Sequence, residues 1–215
     1  MIVRYWMSRS PKVATEKMNL YEAIELMRHH RIRRLPVVRG QTLCGIVTLS
    51  DVYRFVKPYG LTTVILSELV VDELSRHTVA EVMTPSPLTC QPNAPLEEVG
   101  ELMRKRRVGA LPVLEDGQLI GIITESDVLS ALVSIARYGI DGKRICFRIP
   151  EEEKKEIFSK LFALCEKYGL EILTLLTHPV QEDLSLLVMI RLRGERTAEF
   201  VQALWKIHYR ILIVE

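Results

Sequence analysis

Two threonine-aspartate pairs offer the most chemistry in this chain of 215 residues. Gly45, Thr48 and Asp51 recur with the same spacing as Gly121, Thr124 and Asp127. In both places a β-branched run ends at the threonine and an apolar helical pattern begins near Ser50-Asp51 or Ser126-Asp127. The hydroxyl therefore falls at a strand end and the carboxylate at a helix start. An ionised carboxylate only accepts hydrogen bonds and can take both hydrogens of a sugar diol, while a hydroxyl and helix N-terminal N–H groups suit phosphate oxygens. The same residues serve a structural purpose equally well, because Ser-Asp ahead of an apolar helix is a common N-cap and threonine is at home in a strand. That both copies are complete shifts the balance towards a ligand.

The doubling extends far beyond these pairs. Met7 to Val52 aligns without a gap with Met83 to Val128 at an offset of 76, with about 20 identities in 46 positions. Leu35-Pro36-Val37 is echoed by Leu111-Pro112-Val113. Two copies of a unit too short to bury its own apolar face must stack, and stacking creates two clefts related by approximate two-fold symmetry. Within the first copy, Lys12 to Thr15 reads as extended. Leu20, Ala23, Ile24 and Met27 then follow helical spacing, with Asn19 and Glu22 placed to form a capping box. The second copy opens its helix with Pro95 and buries Leu96, Val99 and Met103. Two short strands follow in each copy, turning at Arg39-Gly40 and Asp116-Gly117, and then a second helix. Each unit reads β-α-β-β-α. Lys57-Pro58-Tyr59-Gly60 breaks the chain, and Leu61 to Arg76 reads as a bridging amphipathic helix.

The loop from Tyr138 to Gly142 marks a boundary near residue 140, after which the rhythm changes. Arg144 to Ile149 is strand-like. Pro150 and three glutamates open a helix with the stripe Ile157, Leu161, Leu164 and Tyr168, closed by Gly169. Leu170 to Thr177 and Leu184 to Leu192 are β-rich, Thr197 to His208 is helical, and Ile211 to Val214 is a last strand. That order, β-α-β-β-α-β, is a ferredoxin-like split unit. The fold class is α/β (α+β), with segments 1–76, 77–140 and 141–215.

Composition narrows the function. With 48% apolar and 26% charged residues and a net charge of +2, the chain reads as soluble, with no membrane span and no general affinity for nucleic acid. It starts directly into patterned structure at Met1-Ile2-Val3, so the expected address is cytoplasmic. Cys44, Cys90, Cys146 and Cys165 are isolated and read as buried reduced thiols. The run from Arg28 to Arg34 contains His29 and His30. Consecutive histidines on a helix point apart and no further ligand joins them, so a solvated helix face is favoured over a metal site, and no interleaved aromatics mark a nucleic-acid surface. Gly142-Lys143 is not a P-loop because Arg137 stands where the first glycine belongs, and no nucleophile elbow occurs. His77, His178 and His208 stand alone in sequence. No catalytic residue and no metal ligand is assigned.

The in-register copies resemble a tandem CBS-domain pair, and the element order of the last 75 residues resembles an ACT-type domain. The arrangement, including Met1-Ile2-Val3 and Arg34-Leu35-Pro36-Val37-Val38, is similar to bacterial CBS–ACT proteins of the acetoin-utilisation type. The CBS resemblance implies that Thr48, Asp51, Thr124 and Asp127 face an adenosine-containing ligand, AMP, ADP, ATP or S-adenosylmethionine, with no other cofactor required. It also implies that the residues before each Leu-Pro-Val face the same clefts. These differ, Arg33-Arg34 against Gly109-Ala110. Arginine offers forked donors for phosphate and Gly-Ala offers room for a base, so the clefts are expected to be unequal. By resemblance Asp127 joins Arg33-Arg34, and Asp51 joins Gly109-Ala110. Amino-acid-binding ACT domains resemble one another in a glycine-bearing loop after the first strand; here that loop is Ile149-Pro150-Glu151, so subunit pairing fits the domain better than an amino-acid site. The resemblance thus implies a non-enzymatic sensor, a homodimer that relays ligand state through the ACT-like domain to a downstream protein. A ligand-free dimerisation scaffold is the alternative, and an enzyme of acetoin metabolism has only the family name behind it.

Overall fold

The computed structural model describes residues 1–56, 68–136, 139 and 141–215. The expected break at Lys57-Pro58-Tyr59-Gly60 and the start of the bridging helix lie outside them. Two compact units emerge, Met1–Ser130 and Ala131–Glu215.

In the first unit, strands β1 (Ser8–Arg9), β2 (Ala14–Thr15), β3 (Arg34–Arg39) and β4 (Thr42–Thr48) accompany helices α1 (Leu20–His29) and α2 (Leu49–Val56). Helix α1 starts where Asn19 Oδ1 accepts the Glu22 N–H at 2.8 Å and the Glu22 carboxylate returns to the Asn19 N–H, the capping box its sequence encodes. Leu20, Ala23 and Met27 are fully buried against Leu35, Val37 and Val47. Each leucine, valine or methionine among them contributes about 1.5–3 kcal/mol through removal from water. Helix α3 (Glu68–Arg76) and the short α4 (Val79–Val82) lead into β5 (Thr84–Pro85) and the second copy, which comprises α5 (Leu96–Arg106), β6 (Ala110–Glu115), β7 (Gln118–Thr124) and α6 (Glu125–Ile135).

The copies exchange strands. β1, at the start of the first copy, pairs with β7 of the second, and β5, at the start of the second copy, pairs with β4 of the first. The sheets are ordered β2-β3-β4-β5 and β1-β7-β6. Met7 and Met83 hold equivalent places: a Cβ on Gly121 would lie 2.7 Å from Met7 Sδ, and one on Gly45 would lie 2.5 Å from Met83 Sδ. The backbone repeats as faithfully as the sequence. Ser10 and Ser86 (φ +49° and +47°) and Arg31 and Arg107 (φ +52° and +54°) are identical residue pairs in the left-handed region, which non-glycine residues seldom enter.

In the second unit, β8 (Lys143–Ile149), α7 (Ile157–Tyr168), β9 (Glu171–Pro179), β10 (Leu186–Arg193), α8 (Thr197–Lys206) and β11 (Arg210–Val214) follow in order. The sheet is antiparallel and ordered β11-β8-β10-β9, which places β10 between the two strands that α7 connects. Phe147 stacks on Tyr209 with ring centroids 5.9 Å apart, within a core that includes Ile157, Leu161, Phe200 and Leu204. Helix α7 starts later than its sequence implies, because Glu151–Glu153 form a separate 3-10 turn. It ends as expected at Gly169 (φ +64°), where the N–H groups of Gly169 and Leu170 close on Glu166 and Cys165.

No helix among the described residues is long and apolar enough to cross a membrane. All four cysteines are free; Cys165 is buried and the others half-buried.

Candidate functional site

The two threonine-aspartate pairs form one motif built twice. Thr48, the last residue of β4, is the N-cap of α2, and Asp51 is its third helical residue. Asp51 Oδ2 accepts the Thr48 N–H at 2.9 Å and the Thr48 hydroxyl at 2.7 Å, while Thr48 Oγ1 accepts the Asp51 N–H at 3.2 Å. Thr124 and Asp127 repeat this at 2.8, 2.7 and 3.3 Å. Each is a reciprocal capping box with aspartate in the place usually held by glutamate. The cap is thus threonine, and Ser50 and Ser126 are not the capping residues that Ser-Asp ahead of a helix implies. The carbonyls of Arg33 and Gly109 accept the next N–H groups, of Leu49 at 2.9 Å and Glu125 at 3.2 Å. Of the donors a helix start leaves over, the N–H of Ser50 and of Ser126 have no partner among the described residues.

The geometry corrects one feature of the sequence reading. Neither carboxylate offers both oxygens to a diol, since Oδ2 is committed to the cap and only Oδ1 faces away from it. At Asp51 the guanidinium of Arg54 takes up even that oxygen, at 3.4 Å. At Asp127 the equivalent position is Ser130, which donates instead to the Ser126 carbonyl at 2.7 Å, and Oδ1 has no partner among the described residues.

Among the residues before Leu-Pro-Val, Arg33 is exposed, Arg34 and Gly109 are half-buried, and Ala110 is buried. Arg34 pairs across the sheet with Thr48 of its own copy. Its side chain crosses to the other: a Cβ on Gly109 would lie 2.2 Å from an Arg34 Nη and 3.0 Å from the Glu125 carboxylate. The room at Gly109 is therefore filled by Arg34 rather than left open for a base. Arg34 thereby stands beside the first residue of α6, the helix that carries Asp127. Glu125 and Arg54 escaped the sequence reading. The repeat alignment carries a signal for the first, because Arg34 with Leu49 in one copy becomes Ala110 with Glu125 in the other, a complementary charge exchange.

Elsewhere the chemistry is sparse. Burial pushes the Cys90 and Cys165 thiols up to about 11, away from nucleophilic use. His29 and His30 meet edge-on at 4.8 Å, and no three metal-ligating side chains converge among the described residues. In the second unit a cavity of about 320 Å³ opens beside Ile149-Pro150-Glu151, bordered by Arg148, His208 and Arg210. Arg148 is already engaged there by both oxygens of Asp183, at 2.9 and 3.0 Å.

With strand exchange, stacked repeats and twin capped helix starts in place, the class is defined. The CBS-domain model matches residues 3–58 and 79–134, and the chain belongs to the CBS-domain family as a tandem pair. It is 35% identical over 128 residues to the inosine-5'-monophosphate dehydrogenase of Korarchaeum cryptofilum, a match that spans 59% of this chain and 22% of that enzyme, so the likeness is confined to the CBS part. Among solved structures, CBSX2 in complex with AMP aligns with a TM-score of 0.53 and 26% identity over 62% of this chain and 97% of that one. The acetoin utilization protein AcuB of Vibrio cholerae aligns with a TM-score of 0.55 and 27% identity, over 64% and 95% of the two chains.

Proposed function

We propose that the chain is a non-catalytic regulatory protein whose CBS pair, in segments 1–76 and 77–140, binds an adenine nucleotide or adenosyl compound. Its ligand state is relayed through a homodimer and an ACT-like domain at 141–215. The observation that carries this reading is the doubled Thr-x-x-Asp capping box, each with a carboxylate oxygen turned away from the cap. That oxygen can accept a ribose hydroxyl while the helix stays capped. The AMP held by the similar CBSX2 supports an adenylate. A ligand can shift such a protein only by binding its arrangements with different affinity.

Calorimetry of the full chain with AMP, ADP, ATP and S-adenosylmethionine tests the reading. Binding by at least one of them is expected, weakened at least tenfold when Asp51→Asn and Asp127→Asn are combined. No heat at millimolar concentration of all four would refute it and leave the pair as a scaffold.

A further inference from the structure

We infer that the open face of the sheet in the second unit is a docking surface for an amphipathic helix of another protein, one whose apolar stripe is flanked by aspartates or glutamates. The inference deepens the proposed relay by naming the surface and the chemistry of its partner, and it rests on that reading only in taking the partner to be the downstream protein.

The sheet ordered β11-β8-β10-β9 has two unlike faces. Ile145, Phe147, Ile149, Val188, Ile190 and Leu192 point to one side and are buried in the core that α7 and α8 complete. Side chains alternate along a strand, so Cys146, Met189 and their cross-strand partners point to the other side. Leu176 lies opposite Met189, Met189 opposite Cys146, and Cys146 opposite Ile213. The result is one apolar row that crosses all four strands. Leu176 and Ile213, at its two ends, are 38% and 41% exposed, and Met189 and Cys146 between them are half-buried. An antiparallel sheet with one covered face ordinarily turns polar residues to water on the other. An unbroken apolar row there marks a surface that a partner covers.

Arginines border the row on both flanks. On one flank Arg148 lies opposite Arg210, and on the other Arg191 lies opposite Arg144. Glu215 holds Arg144, Asp183 holds Arg148 with both oxygens, and the Arg191 guanidinium donates to the Gly142 carbonyl at 3.1 Å. The exposed Arg210 guanidinium has no ion pair among the described residues, although it stands directly across from another arginine, an arrangement that repels. A carboxylate brought in beside the row would relieve that repulsion and accept forked hydrogen bonds. The same arginines argue against a second copy of this chain as the occupant, because stacking two such faces would set arginine flank against arginine flank, and like charges across an interface are costly. A helix suits the surface, since α7 and α8 already pack on the opposite face and a helix here would complete a third layer.

Two synthetic helical peptides with the same leucine stripe, one flanked by glutamates and one by lysines, test the inference by fluorescence anisotropy with the full chain. The glutamate peptide is expected to bind at least about tenfold more tightly than the lysine peptide, and to weaken as salt is raised. Leu176→Glu combined with Ile213→Glu should weaken it at least about tenfold, as should Arg210→Glu alone. Leu176→Thr with Ile213→Thr, which keeps strand-forming residues, serves in their place if the charged pair folds poorly. Adenylate binding, proposed for the first unit, should be unchanged in all these variants. Equal binding of the two peptides, no binding of the glutamate peptide, or binding that survives the Leu176, Ile213 and Arg210 substitutions would overturn the inference. So would sedimentation showing that the Leu176 and Ile213 substitutions split a dimer of the unmodified chain, since a second copy would then be the occupant. Loss of the docking surface with AMP still bound would leave the sensor reading intact. Failure of every adenosyl compound with the glutamate peptide bound would remove that reading and leave the docking surface standing.

Discussion

Asp127 caps its helix through Oδ2 and leaves Oδ1 over for the proposed ligand contact, and substitutions can separate the two. Its Oδ2 holds the N–H and hydroxyl of Thr124, while Oδ1 is available to a ligand. Alanine at this position removes both tasks and should lower stability by about 1 kcal/mol, the usual worth of a helix cap. Asparagine keeps an acceptor for Thr124 and should leave the urea midpoint within a few tenths of a molar of the unmodified chain. Equal destabilisation by the two would show that the carboxylate charge, and not the cap geometry, holds the helix start. His77 is a second residue with a defined signature. Its Nδ1 lies 2.7 Å from Glu81 and its Nε2 lies 3.3 Å from Glu73, with the Phe55 ring edge-on at 4.7 Å. The hydrogen bond to Glu81, followed by that to Glu73, raises the His77 pKa above its ordinary 6.5. The stabilisation is therefore complete below the unfolded-state pKa and is lost as pH rises through the higher folded-state value. Melting temperature should decline from pH 6 through neutrality and should do so less steeply in His77→Gln. Identical slopes would contradict the assignment. At the acid end, the Thr78 N–H and His77 hold Glu81 at about 2, so its contribution fades only as pH falls towards that value.

Strand exchange is the element that ties the copies together, and it has a steric requirement. β1 lies so close to β7 that a Cβ on Gly121 would come within 3.0 Å of the Ser8 carbonyl oxygen as well as 2.7 Å of Met7 Sδ. The methionine can yield but the backbone cannot. Gly121→Val should cost about 1–3 kcal/mol by overpacking, read as a lowered urea midpoint, whereas Gly117→Ala, with open space around it, should be penalised only for its backbone conformation. An unaffected Gly121 variant would mean that β1 detaches readily. The longer elements of both units were legible in the chain because periodicity and caps agree: Leu20, Ala23 and Met27 supply the stripe of α1, and Asn19 with Glu22 marks its start. β1 and β5 were not legible. Two residues are too few to show alternation, and their partners lie in the other copy, which no local pattern can reveal. The late start of α7 has a similar origin, since Pro150 and the glutamates suit a 3-10 turn as well as the first turn of an α-helix.

For the whole molecule, the doubled sequence announced doubled clefts, but part of the difference between them resides in Arg34, whose side chain crosses from one copy to Gly109 of the other. Arg34 and Glu125 became meaningful only when the fold brought them beside Gly109, whereas Arg54, three residues after Asp51 on the same helix, was legible from spacing alone. The second unit, with its antiparallel sheet ordered β11-β8-β10-β9, is where the relay would be read. The most direct test is a crystal structure of the full chain grown with AMP. The ribose is predicted to hydrogen-bond Asp127 Oδ1, with both capping boxes intact and the phosphate within reach of Arg34. AMP bound away from Thr124 and Asp127, or a carboxylate that must leave its cap to meet the ribose, would contradict the account.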